Sequence, residues 1–124
     1  DISIMIVVTG SGPAIIALAV LQDDDNLLPG NQVSPIPNSN RTITIETVVS
    51  DDNGVSDIAS VALNFNGTSI AMVKKSDMNA TAAVFTAAFN LSSQFAAGNY
   101  IITVKATDYS GLSTAASANF EYLA

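Results

Sequence analysis

The sequence predicts an all-β fold, a seven-stranded β-sandwich led by an extra apolar N-terminal strand, and three observations predict it. Apolar and polar residues alternate at period two through most of the chain. β-Branched and small hydroxylated residues stand where a helical protein would carry charged helix formers. Turn signals recur at the short intervals of a sandwich, and no stretch of useful length carries a helical stripe. At 124 residues the chain is long enough for one core and too short for two. It divides into residues 1–12, an apolar strand with a Gly-rich hinge, and residues 13–124, the sandwich.

The elements follow in order. Ile2 to Val8 is β-branched and extended in character. Thr9-Gly10-Ser11-Gly12-Pro13 breaks the apolar run between Ile2 and Leu21, so that run reads as two strands and a hinge rather than a membrane helix. Ala14 to Leu21 is the first strand of the sandwich. Pro29-Gly30 and Pro35-Ile36-Pro37 lie in a long connection that hugs and blunts an edge. Arg41 to Ser50 turns Ile43, Ile45 and Val49 to one face and Thr42, Thr44 and Glu46 to the other. Ile58 to Asn66 places Val61, Leu63 and Phe65 inward. Asn66-Gly67 is a type I′ hairpin signal, because both residues tolerate positive φ. Thr68 to Lys75 returns as one strand, with Ile70 and Met72 buried. Thr81 to Leu91 carries Phe85, Ala87, Phe89 and Leu91 on one side. Asn99 to Asp108 carries Tyr100, Ile102, Val104 and Ala106, and Ser113 to Tyr122 closes the set with Ala116, Ala118, Phe120 and Tyr122.

Composition excludes much chemistry. There is no Cys, no His and no Trp, which removes disulfides, thiolate nucleophiles, imidazole metal sites and the commonest general base. Four basic against eleven acidic residues give a net charge of −7, which repels a phosphate backbone and makes nucleic acid a poor partner. Ser and Thr are plentiful without a His or Lys partner beside them. Gly10 and Gly12 lack the third glycine and the helix of a dinucleotide fingerprint. No paired carboxylates stand in a glycosidase or protease context, so the chain reads as a non-enzyme. It begins at Asp1 without a basic stretch before the first apolar run, and reads as a mature form or a piece of a longer protein.

Several segments carry a family likeness. Gly98-Asn-Tyr100-Ile-Ile-Thr-Val104-Lys-Ala106-Thr-Asp108-Tyr-Ser-Gly111 resembles a late strand and turn of Ig-like and fibronectin type III-like modules in bacterial and archaeal cell-surface proteins. Val48-Val-Ser-Asp51-Asp-Asn-Gly54-Val with Ile58-Ala-Ser-Val61 resembles an earlier corner of those modules, and Ala118-Asn-Phe120-Glu-Tyr122 their last strand. The likeness covers roughly residues 33–124 and implies a sandwich, with Tyr100 as a tyrosine corner whose hydroxyl is tied to nearby backbone. It implies nothing about function.

Two sets of polar residues are candidate sites. Asn40, Asn66, Asn79 and Asn90 each open an Asn-x-Ser/Thr sequon at an expected strand end or turn, where a covalent N-glycan would project into solvent; the fondness of Asn for turns accounts for them equally. Glycans would make the protein an exported one and an archaeal surface protein its natural home. Asp51, Asp52 and Asp57, with Asp108, come from two loops expected at one end of the sandwich, with the hinge before Ala14 approaching the same end. Oxygen ligands gathered there are what calcium requires, although Asx turns and simple solvation explain such residues too. Asp23, Asp24 and Asp25 belong at the opposite end, as a solvated acidic turn or as a partner for Lys74 and Lys75 of a neighbouring copy.

The leading strand decides the functional expectation. Ile2, Ile4, Ile6 and Val8 line one face and Met5 and Val7 add apolar surface to the other, a combination that aggregates if left in water. The strand can fold back on its own sandwich, close a preceding domain, or insert into the next identical subunit. The last is β-strand addition applied head to tail, which yields an open filament. The reading favoured is a structural subunit of an extracellular filament or surface lattice, with self as partner, no membrane span and no cofactor. The other reading is an adhesion or binding repeat of a larger surface protein, calcium-stabilised, whose exposed loop aromatic is Tyr109.

Overall fold

The structure, a computed structural model, describes residues 12–25 and 27–123. Nine strands are formed among them: β1 (Ala14–Val20), β2 (Gln32–Val33), β3 (Asn40–Ser50), β4 (Ile58–Phe65), β5 (Thr68–Ala71), β6 (Val73–Asp77), β7 (Ala82–Ser92), β8 (Gly98–Asp108) and β9 (Ser113–Tyr122). They make a sandwich of two sheets, ordered β1-β3-β7-β6 and β2-β9-β8-β4-β5. All pairs are antiparallel except β2 with β9. The expected leading strand, Ile2 to Val8, lies outside the described residues.

The inward residues of each strand follow from alternation. Ile43, Ile45 and Val49 of β3 are fully buried, and so are Leu63 of β4 and Ile102, Val104 and Ala106 of β8. The Ile, Leu and Val side chains among them each contribute ~1.5–3 kcal/mol when removed from water. At one end of the sandwich the core is aromatic. Phe65 stacks on Phe89 with centroids 4.3 Å apart, and Tyr100 stacks on Phe120 at 5.8 Å. The half-buried Tyr100 donates its hydroxyl to the Ala96 carbonyl at 2.6 Å, the local tie expected of a tyrosine corner.

Nine strands replace the expected seven for two reasons. The segment Thr68 to Lys75 is not one strand. β5 pairs with β4, and at Met72 the chain crosses the sandwich so that β6 pairs with β7 in the other sheet. Met72 is 7% exposed, its N–H still bound to the Val61 carbonyl at 2.8 Å, so it stitches the crossing shut. The second reason is β2, two residues inside the long connection. Asn31 donates its side-chain amide to the Val20 and Gln22 carbonyls, both at 2.8 Å, which ties β2 to the end of β1, and the Glu121 and Leu123 N–H groups donate to the Asn31 and Val33 carbonyls to hold it on β9. The turn between β4 and β5 has φ of 53° at Asn66 and 83° at Gly67, as a type I′ turn requires.

The acidic turn after β1 is held by the chain itself. Asp24 takes Arg41 at 2.9 Å and the Ser34 N–H at 2.7 Å, at the end where β3 begins. The conjectured partners Lys74 and Lys75 pair within the chain instead, with Asp77 at 2.9 Å and Glu46 at 2.6 Å. No helix among the described residues is long and apolar enough to cross a membrane.

Candidate functional site

Two strands end in buried aspartates at the same end of the sandwich. Inward positions of β3 run Ile43, Ile45, Thr47, Val49, and the next in the series is Asp51; those of β8 run Ile102, Val104, Ala106, Asp108. Alternation therefore carries a carboxylate inward at the end of each strand, leaving Asp51 1% and Asp108 2% exposed. The half-buried Asp57 joins them from a short 3-10 turn, Val55–Asp57, and carboxylate oxygens of all three lie within 4.8 Å of one another.

Each buried aspartate uses its two oxygens differently. Oδ1 of Asp108 accepts from the Ser110 N–H at 3.0 Å, the Ser110 hydroxyl at 2.8 Å and the Leu112 N–H at 3.0 Å, which folds the β8–β9 turn. Oδ1 of Asp51 accepts from the Asn53 N–H at 2.9 Å. Oδ2 of both residues is buried and accepts no hydrogen bond among the described residues. The surrounding backbone locks the loops together: Asp51 N–H to the Thr81 carbonyl (2.8 Å), Val55 N–H to Ala80 (3.0 Å) and Tyr109 N–H to Asp57 (3.0 Å). Gly54, at φ 103°, supplies the left-handed step between Asp51 and the 3-10 turn.

The electrostatics are one-sided. Burial raises the Asp51 carboxyl above the usual 3.8, Asp57 and Asp108 push it further, and only the Asn53 amide opposes. Arg41, Lys74 and Lys75 are committed to Asp24, Asp77 and Glu46. Of the four aspartates expected to gather here, Asp51, Asp57 and Asp108 do so. Asp52 does not, because strand parity turns it outward and leaves it exposed. Of the expected hinge, Gly12 lies at this end, where a side chain on it would meet the Leu112 Cβ at 3.0 Å, while Gly10 and Ser11 lie outside the described residues.

A second feature lies along the flank. The Glu121 N–H donates to the Asn31 carbonyl and the Leu123 N–H to Val33, each at 2.8 Å, both away from β8. Backbone groups alternate sides along a strand, so Ser113, Ala115, Ser117 and Asn119 aim their N–H and C=O groups in that same direction. Among the described residues, β2 pairs only with Glu121 and Tyr122, and no strand pairs with the remainder of that edge. The inward side chains there are small and half-buried: Thr114, Ala116 and Ala118. β1, the edge strand of the opposite sheet, comes close to β9 without a ladder between them, and its half-buried Ile15 and Leu18 pack against the core.

Asn40, Asn66, Asn79 and Asn90 are all exposed. Asn79 Oδ1 caps its own turn by accepting from the Thr81 and Ala82 N–H groups, both at 2.9 Å, and Asn90 Oδ1 accepts from the Thr42 hydroxyl at 2.9 Å. The expected interface residues Ile2, Ile4, Ile6 and Val8 lie outside the described residues. No protein-family model matches this chain, and no curated protein matches it.

Proposed function

We propose that this protein is a structural subunit of an extracellular filament or surface lattice, assembled head to tail by donation of residues 1–9 to a neighbouring copy. The observation that carries the reading is the edge of β9 between Ser113 and Asn119, which has no ladder partner among the described residues and is lined inside by Thr114, Ala116 and Ala118. An edge of that length with small inner side chains suits a strand whose alternate residues are large and aliphatic, as Ile2, Ile4, Ile6 and Val8 are. Ladder bonds give the joint its affinity and alternate side chains set its register. β2 supplies a stop. It occupies the edge at Glu121, so a guest strand ends beside Phe120, and residues 2–8 match positions 114–120 in length. Thr9 and Gly10 then carry the chain out of the sheet.

Direction separates donation from self-closure. Gly12 lies beside Leu112, at the start of β9. Residues 2–8 folding back on their own sandwich run antiparallel to β9. A strand arriving head to tail from the copy below runs parallel to it. The chain has no cysteine, so engineered disulfides report cleanly. With outward-facing pairs, Ser3→Cys with Ala115→Cys yields a ladder of covalent oligomers under donation. Val7→Cys with Ala115→Cys closes within one chain under self-closure, and that product refutes the proposal. Deleting residues 1–9 leaves a soluble monomer, and electron microscopy of the intact protein shows rods. Compact particles or tandem beads support an adhesion repeat instead.

A further inference from the structure

We propose that the oxygens of Asp51, Asp57 and Asp108 form a calcium-binding site that clamps the β8–β9 turn to the β3–β4 connection. This goes beyond the assembly reading and does not rest on it. Three observations carry it. The first is the convergence of carboxylate oxygens within 4.8 Å, the spread expected of ligands about 2.3–2.6 Å from one central ion. The second is that Oδ2 of Asp51 and of Asp108, on side chains 1% and 2% exposed, is buried without a hydrogen-bond donor. A buried carboxylate oxygen left bare is costly, and buried charges are normally paired or bound to metal. The third is the division of labour within each residue. Oδ1 is engaged by the local turn, through three hydrogen bonds at Asp108 and one at Asp51, so each carboxylate is oriented while Oδ2 stays available.

The identity of the ion follows from the donor set. All three ligands are hard carboxylates, and the chain has neither His nor Cys to add a soft one, which leaves calcium or magnesium among common ions. Loops from separate connections, with Asp57 half-buried and open to water, suit the irregular, partly hydrated shell of calcium better than the strict octahedron of magnesium. Asn53 stands ready as a further oxygen donor. Its amide nitrogen makes only a 3.4 Å contact with Asp57 Oδ2, and rotating the amide presents its oxygen instead.

The test uses the whole chain, titrated calorimetrically with calcium and melted in calcium and in chelator. One calcium binds per chain, and at a hundredfold excess over Kd the melting temperature rises by roughly 5–10 °C. Asp51→Asn and Asp108→Asn keep the Oδ1 anchor and remove the charge, so each weakens calcium binding about tenfold or more. In chelator the same variants melt at or above the wild-type temperature, since a like charge has gone; a purely structural role lowers it in both conditions. Absence of binding heat with identical melts in calcium and chelator overturns the proposal, and a magnesium response equal to that of calcium overturns the choice of ion.

Discussion

Asp108 does two separable things, and a pair of substitutions pulls them apart. Its Oδ1 organises the β8–β9 turn through three hydrogen bonds, while its charge adds to the repulsion around Asp51. Asp108→Ala removes both; Asp108→Asn keeps an oxygen in the Oδ1 position and removes only the charge. The three donors sit on Ser110 and Leu112, which are exposed and regain water when the acceptor is lost, so each bond is worth ~0.5–1.5 kcal/mol net. Their sum is about 2–4 kcal/mol, offset in part by relief of repulsion that both variants share. In chelator at neutral pH, Asp108→Asn is therefore near wild type or slightly above it, and Asp108→Ala lies about 2–3 kcal/mol below Asp108→Asn. Urea unfolding measures the difference, with equal slopes required so that the midpoints compare like with like. If the two variants unfold together, the turn does not depend on Oδ1 and the division of labour assigned to these carboxylates is wrong.

Two further outcomes follow from burial. The raised carboxyl of Asp51 means the folded chain holds that proton more tightly than the unfolded chain, so its contribution is gained as pH falls toward 3.8 and lost as pH rises through the raised value. The groups facing it are Asp57 from the 3-10 turn and Asp108 from β8; in chelator, the stability advantage of Asp51→Asn over wild type is largest at neutral pH and shrinks on acidification, and a gap that widens instead refutes the assignment. Burial, reinforced by Tyr100 and opposed by Arg41, raises the Tyr122 phenol above 10, so the stability it confers is present below that value and lost as pH climbs through and beyond it. Tyr122→Phe loses the bond to the Ser92 carbonyl, about 1 kcal/mol at neutral pH, yet keeps more of its stability than wild type does in strong alkali, as thermal melts across that range check.

Alternation made most of the sandwich legible, because burial of one face imposes period two on β3, β4 and β8. What alternation cannot encode is the partner. Ile70 and Met72 keep the same parity straight across the point where the chain changes sheets, so Thr68 to Lys75 looks continuous in sequence. β2 is too short to have a period at all, and its position is set by the buried Val33 side chain, the Asn31 side-chain bonds to Val20 and Gln22 and the backbone bonds to Glu121 and Leu123 together. The acidic end was legible as a gathering of loops but not in its membership. The missed signal was parity: continuing each strand by one inward step selects Asp51 over Asp52 and picks Asp108, while Asp57 enters through a turn that no periodicity describes.

The β8–β9 turn joins the two proposals physically. Asp108 anchors it, Leu112 within it lies against Gly12, and Ser113 just beyond it begins the edge that has no ladder partner among the described residues. Anything that stiffens this turn therefore fixes both the position of Gly12 and the start of the edge that would receive a guest strand. A head-to-tail joint depends on the angle between those two features, since a small error repeated at every subunit bends or closes the polymer. Calcium held by Asp51, Asp57 and Asp108 would act on that angle without touching the guest strand. Its removal should loosen the geometry of assembly before it weakens the grip of the joint, so chelated filaments should become curved or irregular while their covalently trapped ladders still form.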